Sequence, residues 1–561
     1  MIDITLGLTL RFFIGLLSIA PLSNSPLNSG WVNLFLKLDI ELAMNKFIKR
    51  DVVVQLIFAT IFGVYALTAN SEEVASSKQL SLPQVEGMFK PSKDSLKNYK
   101  TPEWFRDAKF GIWSHWGPQA VPRMGDWYAR NMYIPGTPQY DYHVKHYGHP
   151  TKVGYKDIIP LWKAEKFNPD QLMQLYSQAG AKYFVSMGVH HDNFDLWNSK
   201  FHSWNAVKMG PHRDIVGEWK KAAEKYGLRF GVSEHLATSY GWFAPSHGYD
   251  QFWPHNGIGY DGENPEYSDL YHSGKDKPYR DSQTWYTDYP PSQQNWFDRI
   301  SDLLNQYQPD FLYTDGGIPF GVVGRTLVAN FYNSNMKKHG GRLEAVYTHK
   351  DNGSGEFIAE GGVQDVERGV IGGINSRAWQ TDTSIGDWYY SDNFKYKTTA
   401  QVVHMLTDIV SKNGNLLINV VQYPDGSLPP ESKTFLQEVG KWMTVNGEAI
   451  YSTRPWIVYG EGPTKPATGH FSEEDNYTAE DIRFTHKNDT LYAITLSSPE
   501  DRVRIKSLGV NSNLSDKSVK SVLLLGNNKK LVWRQENDAL VIQIPKTLPS
   551  QYSSSFKIEF E

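Results

Sequence analysis

Between residues 100 and 446 two spacings of apolar residues alternate along the chain. Short runs rich in Val, Ile, Phe, Tyr and Trp have the length of buried strands, and the stretches between them carry apolar residues three and four apart, the spacing of a helix packed on one face. The pattern predicts strand Lys109–Ser114, helix Asn168–Gly180, strand Ala181–Gly188, helix Arg213–Tyr226 and strand Leu228–Ser233. An aromatic-rich insertion at 238–290 follows, then helix Gln294–Tyr307 and a short strand, Phe311–Tyr313. Beyond it come helix Val322–His339, strand Leu343–Thr348, a stretch around Val366, strand Trp379–Ser384, helix Thr399–Lys412, strand Leu416–Val421 and helix Glu431–Val445. Strand-then-helix repeated roughly eight times predicts an α/β fold, a parallel (β/α)8 TIM-like barrel. An open doubly wound sheet would carry a Gly-rich dinucleotide loop after its first strand, and the sequence has none there.

From about Gly447 the helical spacing stops. Short alternating runs at 481–485, 490–496, 503–505, 519–525, 531–533, 539–544 and 556–560, separated by Asn, Gly, Asp and Ser, predict a C-terminal antiparallel β-sandwich. The domain organisation expected is therefore an N-terminal extension at 1–69, a polar linker at 70–100, a barrel at 101–446 and a sandwich at 447–561. Within the extension, Met44-Asn-Lys-Phe-Ile-Lys-Arg precedes an apolar run from Val52 to about Ala69, the layout of a secretory signal peptide. This predicts a start at Met44 and an exported product, periplasmic or secreted.

Composition narrows the chemistry. A net charge of −4 from 57 basic and 61 acidic residues gives no polyanion-binding surface, so no nucleic-acid partner is expected, nor a stable membrane partner. With no cysteine, disulfides, thiolate metal sites and Cys nucleophiles are excluded. The 18 Trp and 32 Tyr offer flat apolar faces with polar edges, which suit sugar rings.

Pro309-Asp-Phe-Leu-Tyr-Thr-Asp-Gly-Gly317 places Asp315 at the carboxyl end of a buried strand, where a barrel does its chemistry. Three other strand exits carry polar rings or charges: His115-Trp116, His190-His191 and Glu234-His235. Adjacent histidines splay apart and no HExxH spacing occurs, so no metal site and no cofactor is expected. The expected site is a ring of hydrogen-bonding groups around a polyhydroxylated ligand, with Trp116 and Trp127 as apolar walls. Carboxylates, histidines and tryptophans at a barrel mouth point to glycoside hydrolysis, which uses two carboxyl groups. Asp315 is the candidate nucleophile.

Several segments resemble the α-L-fucosidases of glycoside hydrolase family 29: Trp104–Gly117, Gly125–Tyr133, Ala181–Trp197 with His190-His191-Asp192, Pro309–Gly317, Ser411–Asn419 and Val445–Trp456. The resemblance implies a retaining exo-enzyme that releases terminal α-L-fucose from oligosaccharides or polysaccharides, with oligomers compatible. It implies Asp315 as nucleophile, and His115, Trp127, His190 and His191 as fucose contacts. The acid/base falls among Glu344, Glu356, Glu360 and Glu367; the offset of about a dozen residues before Trp379 selects Glu367, with Glu360 as the alternative. Trp379 joins the expected substrate contacts. Asp126, where the family commonly has Glu, and Glu234, where Tyr is frequent, are also placed there. Asn193 and Gln422-Tyr-Pro-Asp-Gly426 depart from the usual pattern. The competing readings are a catalytically weak fucose-binding barrel and an exported polysaccharide-binding scaffold.

Overall fold

The computed structural model describes residues 80–249, 254–272, 285–473, 476–512, 514, 518–527 and 529–561. The expected signal segment and the stretch before it lie outside these residues. Eight parallel strands close into a barrel in chain order: β1 Phe110–Ser114, β2 Tyr183–Val189, β3 Arg229–Glu234, β4 Phe311–Thr314, β5 Val346–Lys350, β6 Val363–Asp365, β7 Trp379–Ser384 and β8 Gly414–Asn419. β8 pairs back onto β1, with Gly111 opposite Leu417.

Helices α1 Pro169–Gln178, α2 Ile215–Lys225, α3 Pro290–Tyr307, α4 Val322–Lys338, α5 Thr399–Ser411 and α6 Pro430–Asn446 form the outer layer. Their starts are written locally. Asn168 accepts from the Gln171 amide ahead of Pro169, and Thr398 and Gln401 make a reciprocal capping box. The expected eightfold alternation is incomplete, because no helix joins β5 to β6 or β6 to β7. The segments there, Asp351-Asn-Gly-Ser-Gly355 and Arg368-Gly-Val-Ile-Gly-Gly373, are rich in glycine and lack a 3.6-residue apolar period.

Strand register decides which side chains enter the barrel. Gly111 faces Tyr183, Trp113 faces Val185, Tyr313 faces Thr348 and Lys350 faces Asp365. A Cβ on Gly111 would collide with the Tyr183 ring, so glycine makes room for a tyrosine across the barrel interior. Tyr183 Oη donates to Gln380 and Tyr313 Oη to Asp382, both across the lumen. Because side chains alternate faces, the inward files run 111-113-115, 231-233-235, 311-313-315 and 363-365-367. His115, His235, Asp315 and Glu367 each sit one pleat beyond their strand, at the mouth.

The described part of the expected linker is packed. Phe89, Leu96 and Tyr99 are buried, and the Asn333 side chain of α4 both accepts from and donates to the Phe89 backbone.

The C-terminal strands are β9 Arg454–Glu461, β10 Ile482–Lys487, β11 Thr490–Thr495, β12 Arg502–Ile505, β13 Val519–Leu524, β14 Trp533–Gln535, β15 Leu540–Gln543 and β16 Ser555–Phe560. They form a five-stranded sheet, β13-β16-β11-β10-β9, and a three-stranded one, β12-β15-β14, around Phe484, Ile505, Ile542 and Phe556. β9 is the strand the sequence pattern misses: it is half-exposed along its length and has no alternation to read. A buried charge cluster ties this domain to the barrel, with Asp408 of α5 accepting from Arg483 of β10 at 2.5 Å and from Lys412 at 2.7 Å.

Candidate active site

Asp315 leaves β4 into Gly316, whose backbone is left-handed at φ 128°. A side chain there would meet Tyr286 Oη, so glycine permits the turn that holds Asp315 at the rim. Tyr286 Oη and Trp285 Nε1 both donate to the Asp315 carbonyl, at 3.3 and 3.4 Å. The Asp315 carboxylate meets three cationic or imidazole groups. Lys350 Nζ donates to Oδ1 at 2.7 Å, while His191 Nε2 and His235 Nδ1 each lie 3.3 Å from Oδ2. The His235 contact is close but off the hydrogen-bond direction. Burial alone would raise this carboxyl, yet Lys350 and then His235 outweigh it and hold Asp315 well below the usual carboxylate range.

Lys350 Nζ also donates to Glu367 Oε2, at 2.6 Å. One ammonium, its side chain 1 % exposed, thus touches both carboxyl groups. Asp315 Oδ1 and Glu367 Oε2, the two oxygens it bridges, cannot be farther apart than those two contacts laid end to end. Even at its longest that span is short of the carboxyl separation of inverting glycosidases, roughly 6.5–9.5 Å. Burial first, and then Asp382 and Asp315, raise the Glu367 carboxyl despite the lysine. Beneath them, burial and Asp382 push Asp365 well above its ordinary value. Around this one cation, burial and like charge thus push Glu367 and Asp365 up, while Lys350 holds Asp315 down.

The histidines are oriented from behind. Gln119 Oε1 accepts from the Ala129 amide, which turns its NH2 toward His190 Nδ1 at 2.8 Å. His190 therefore carries its proton on Nε2, 3.8 Å from Asp126 Oδ1. His191 Nδ1 lies 2.8 Å from the His235 carbonyl and donates to it. Burial pushes His115 and His190 well below the ordinary imidazole range and His235 down to about 4. Ring nitrogens of His115, His190 and His235 lie within 4.8 Å of one another, as do ligand atoms of His191, His235 and Asp315. A cation could be held by such sets, but a His190 Nε2 that bears a proton is a donor to hydroxyl oxygens. Trp242 and Trp285 stand beside the His191 ring at 5.6 and 5.7 Å, and Trp388 beside His115 at 5.3 Å.

The mouth opens into a cavity of about 550 Å3 lined by Asp126, Trp127, Glu367, Trp388, Phe394 and Phe471, among others. The model of the family described as Alpha-L-fucosidase matches residues 76–448, and that of the Alpha-L-fucosidase C-terminal domain matches 474–559. The chain belongs to the α-L-fucosidase family. It is 28% identical over 480 residues to the tissue alpha-L-fucosidase of Homo sapiens, covering 83% of this chain and 90% of that one. Among solved structures, Thermotoga maritima alpha-fucosidase in complex with fucose is similar at 27% identity and a TM-score of 0.64, over 84% of this chain and 99% of that one. The same protein in complex with a mechanism-based inhibitor matches at 27% identity and a TM-score of 0.65, over 84% and 100%. The chain is a glycoside hydrolase, and its barrel with a C-terminal sheet domain is the fold of these relatives.

In this family member the mouth gathers His115, Asp126, Trp127, His190, His191, Asp315 and Glu367. Other expected residues lie elsewhere, for reasons of parity and strand end. Trp116 follows the inward His115 and so points outward, packed between Trp162 and Phe167, with its Nε1 donating to the Tyr423 carbonyl. Trp379 opens β7 at the barrel's opposite end and donates to the Lys412 carbonyl. Glu234 precedes the inward His235 and is buried against α3, accepting from Trp296 Nε1 at 3.0 Å. Glu360 is exposed and paired with Arg377, Glu344 with Arg229, and Glu356 with Arg325.

Lys350, Trp242, Trp285 and Trp388 went unnamed in the sequence reading. Only Lys350 had a usable signal, since it lies on the inward parity of β5. Trp285 and Trp388 sit on loops and Trp242 ends a one-turn helix, Ser239–Trp242, segments whose path no periodicity records.

Proposed function

We propose that this enzyme is a retaining, exo-acting α-L-fucosidase with Asp315 as nucleophile and Glu367 as acid/base. The observation that carries the reading is the shared Lys350 ammonium, which holds the Asp315 and Glu367 carboxyl groups beside each other at the mouth. In the first step an Asp315 oxygen attacks the anomeric carbon of a terminal α-L-fucosyl residue while Glu367 gives its proton to the departing glycosidic oxygen. The products are a β-linked fucosyl ester of Asp315 and the freed alcohol. In the second step the Glu367 carboxylate takes a proton from water. That water attacks the anomeric carbon, releasing α-L-fucose and restoring ionised Asp315 and protonated Glu367.

Lys350 suits this exchange. Before the first step the negative charge is on Asp315, and after it the charge is on Glu367. The pair carries one charge throughout, and the ammonium touches both ends. Esterification removes the anion that raised Glu367, so its acidity increases when it must act as a base. His115, His190, His191, Asp126 and Trp127 are the proposed fucose contacts, and the substrates are fucosylated oligosaccharides or polysaccharides. Export through the segment beginning at Met44 belongs to the same reading.

NMR of an aryl α-L-fucoside digest tests the mechanism. The first-formed sugar is expected to be α-L-fucose, with the β-anomer growing only by mutarotation. Initial release of β-L-fucose would exclude double displacement.

A further inference from the structure

The gap in the helical layer after β6 is filled by a loop from beyond the barrel. Gly469 N donates to the Val370 carbonyl at 2.9 Å, Phe471 N to the Glu367 carbonyl at 2.9 Å and Ser472 N to the Arg368 carbonyl at 2.8 Å. In return Glu367 N donates to His470 Nδ1 at 3.0 Å. Next to these, Glu473 is clamped to the barrel rim by Thr383, by Lys397 at 2.9 Å and by Arg368 at 3.7 Å. The backbone that carries Glu367 is therefore strapped on both sides by residues 469–473. This strap lies between the two family matches, which end at 448 and resume at 474.

At its centre Phe471 has two features that packing does not explain. Its ring is 69 % exposed, among the most exposed of the large apolar side chains described. Its backbone is left-handed, at φ 57°, a strained setting for a bulky residue. Glu367 and Glu473 anchor both flanks of that turn, so the strain is held in place and the ring is presented to the cavity. Phe394 and Trp388 line the same cavity, so the ring joins an aromatic wall beside the acid/base. Among the described residues no aromatic ring stacks on Phe471.

A general acid marks the side on which the leaving group departs. We propose that residues 469–473 build the leaving-group subsite, with Phe471 as the platform on which the hexopyranose carrying the fucose stacks its apolar C–H face. The strap thereby couples recognition of that sugar to the placement of Glu367. This rests on the fucosidase mechanism above and adds the element that reads its substrate.

The test compares two substrates with the full-length enzyme. One is α-L-fucosyl fluoride, whose leaving group has no ring. The other is the fucosyl disaccharide that the wild type cleaves fastest from a set covering the hexose linkages. Phe471→Asn removes the ring but keeps a residue that tolerates the left-handed backbone. The ratio of kcat/KM for disaccharide over fluoride is expected to fall about tenfold, mainly through KM. Phe471→Trp is expected to keep the ratio within about twofold of wild type. An unchanged ratio in Phe471→Asn overturns the subsite. So does an equal fall on both substrates, which would mean the loop only props Glu367. Wild-type enzyme that hydrolyses neither compound overturns the fucosidase reading, and the subsite with it.

Discussion

Lys350 Nζ sits 2.6 Å from Glu367 Oε2 while its other contact, Asp315 Oδ1, is 2.7 Å away. Both carboxyl groups feel this one cation in the same direction. Burial is what Lys350 offsets at Asp315, so in Lys350→Met that carboxyl rises and is ionised only at higher pH. Glu367, already raised by burial, loses the same downward pull and keeps its proton to higher pH. The acid and basic limbs of kcat/KM are therefore both expected to move up, by about one pH unit or more. The maximum should fall by about a hundredfold or more. Lys350→Arg, which keeps the charge, should hold the limbs near their wild-type positions. A pH–rate profile of Lys350→Met centred where the wild type's is would remove the lysine from the electrostatics of the site.

Glu234 is a stability element. Burial lifts its carboxyl to about 7, with Oε2 held by Trp296 and Oε1 lacking a hydrogen-bond partner among the described residues. Its folded value stands above the unfolded one, so as pH rises from about 4.5 toward 7 the unfolded chain ionises first. Stability drains through that window, by roughly 3 kcal/mol in all, and levels off above it. Glu234→Gln should therefore match wild type near pH 5 and melt several degrees higher near pH 8. Thermal melts at the two pH values check this; a constant gap between the proteins would contradict it.

How much of this was legible in the sequence follows from parity. Inward residues along a strand are two apart, so Asp315 at the end of 311-313-315 was readable, and His115 likewise. The same rule turns Trp116 and Glu234 outward, but it works only once the inward file is known. Strand exits seen without register attract every polar or aromatic neighbour. Trp379 misled differently, because it lies at the start of its strand and the mouth is at the end. Glu367 was named through the family resemblance, by its offset from Trp379, whereas nothing local to residues 469–473 announces that they cross to the barrel. Pairings between distant segments leave no periodicity in either one.

Two tryptophans separate the mouth from the core. Trp127 lines the cavity and stands edge-on to His191 at 6.2 Å. Trp127→Ala should raise KM for any fucoside while changing stability by less than about 1 kcal/mol. Trp116, buried between Trp162 and Phe167, should cost roughly 3–5 kcal/mol on truncation to Ala. Its kinetic constants, measured well below the melting point, should stay close to wild type. Opposite behaviour of the two variants would reverse their placement.

Azide tells the two carboxyl groups apart by stereochemistry. In Glu367→Ala an aryl fucoside with an acidic phenol should still form the β-linked fucosyl ester on Asp315, since that leaving group needs little protonation. The ester then persists, because the base that activates water is gone. Azide needs no base: it attacks the ester, inverts the anomeric carbon and gives α-L-fucosyl azide, restoring turnover. In Asp315→Gly azide takes the nucleophile's own place, attacks the α-fucoside directly and gives the β-azide. Asp315→Asn, which leaves no space for azide, should stay inactive with its melting point near wild type. The anomeric proton coupling in the isolated azides reads the outcome. An α-azide from Glu360→Ala, together with no azide effect on Glu367→Ala, would move the acid/base role to Glu360, whose side chain stands exposed against Arg377.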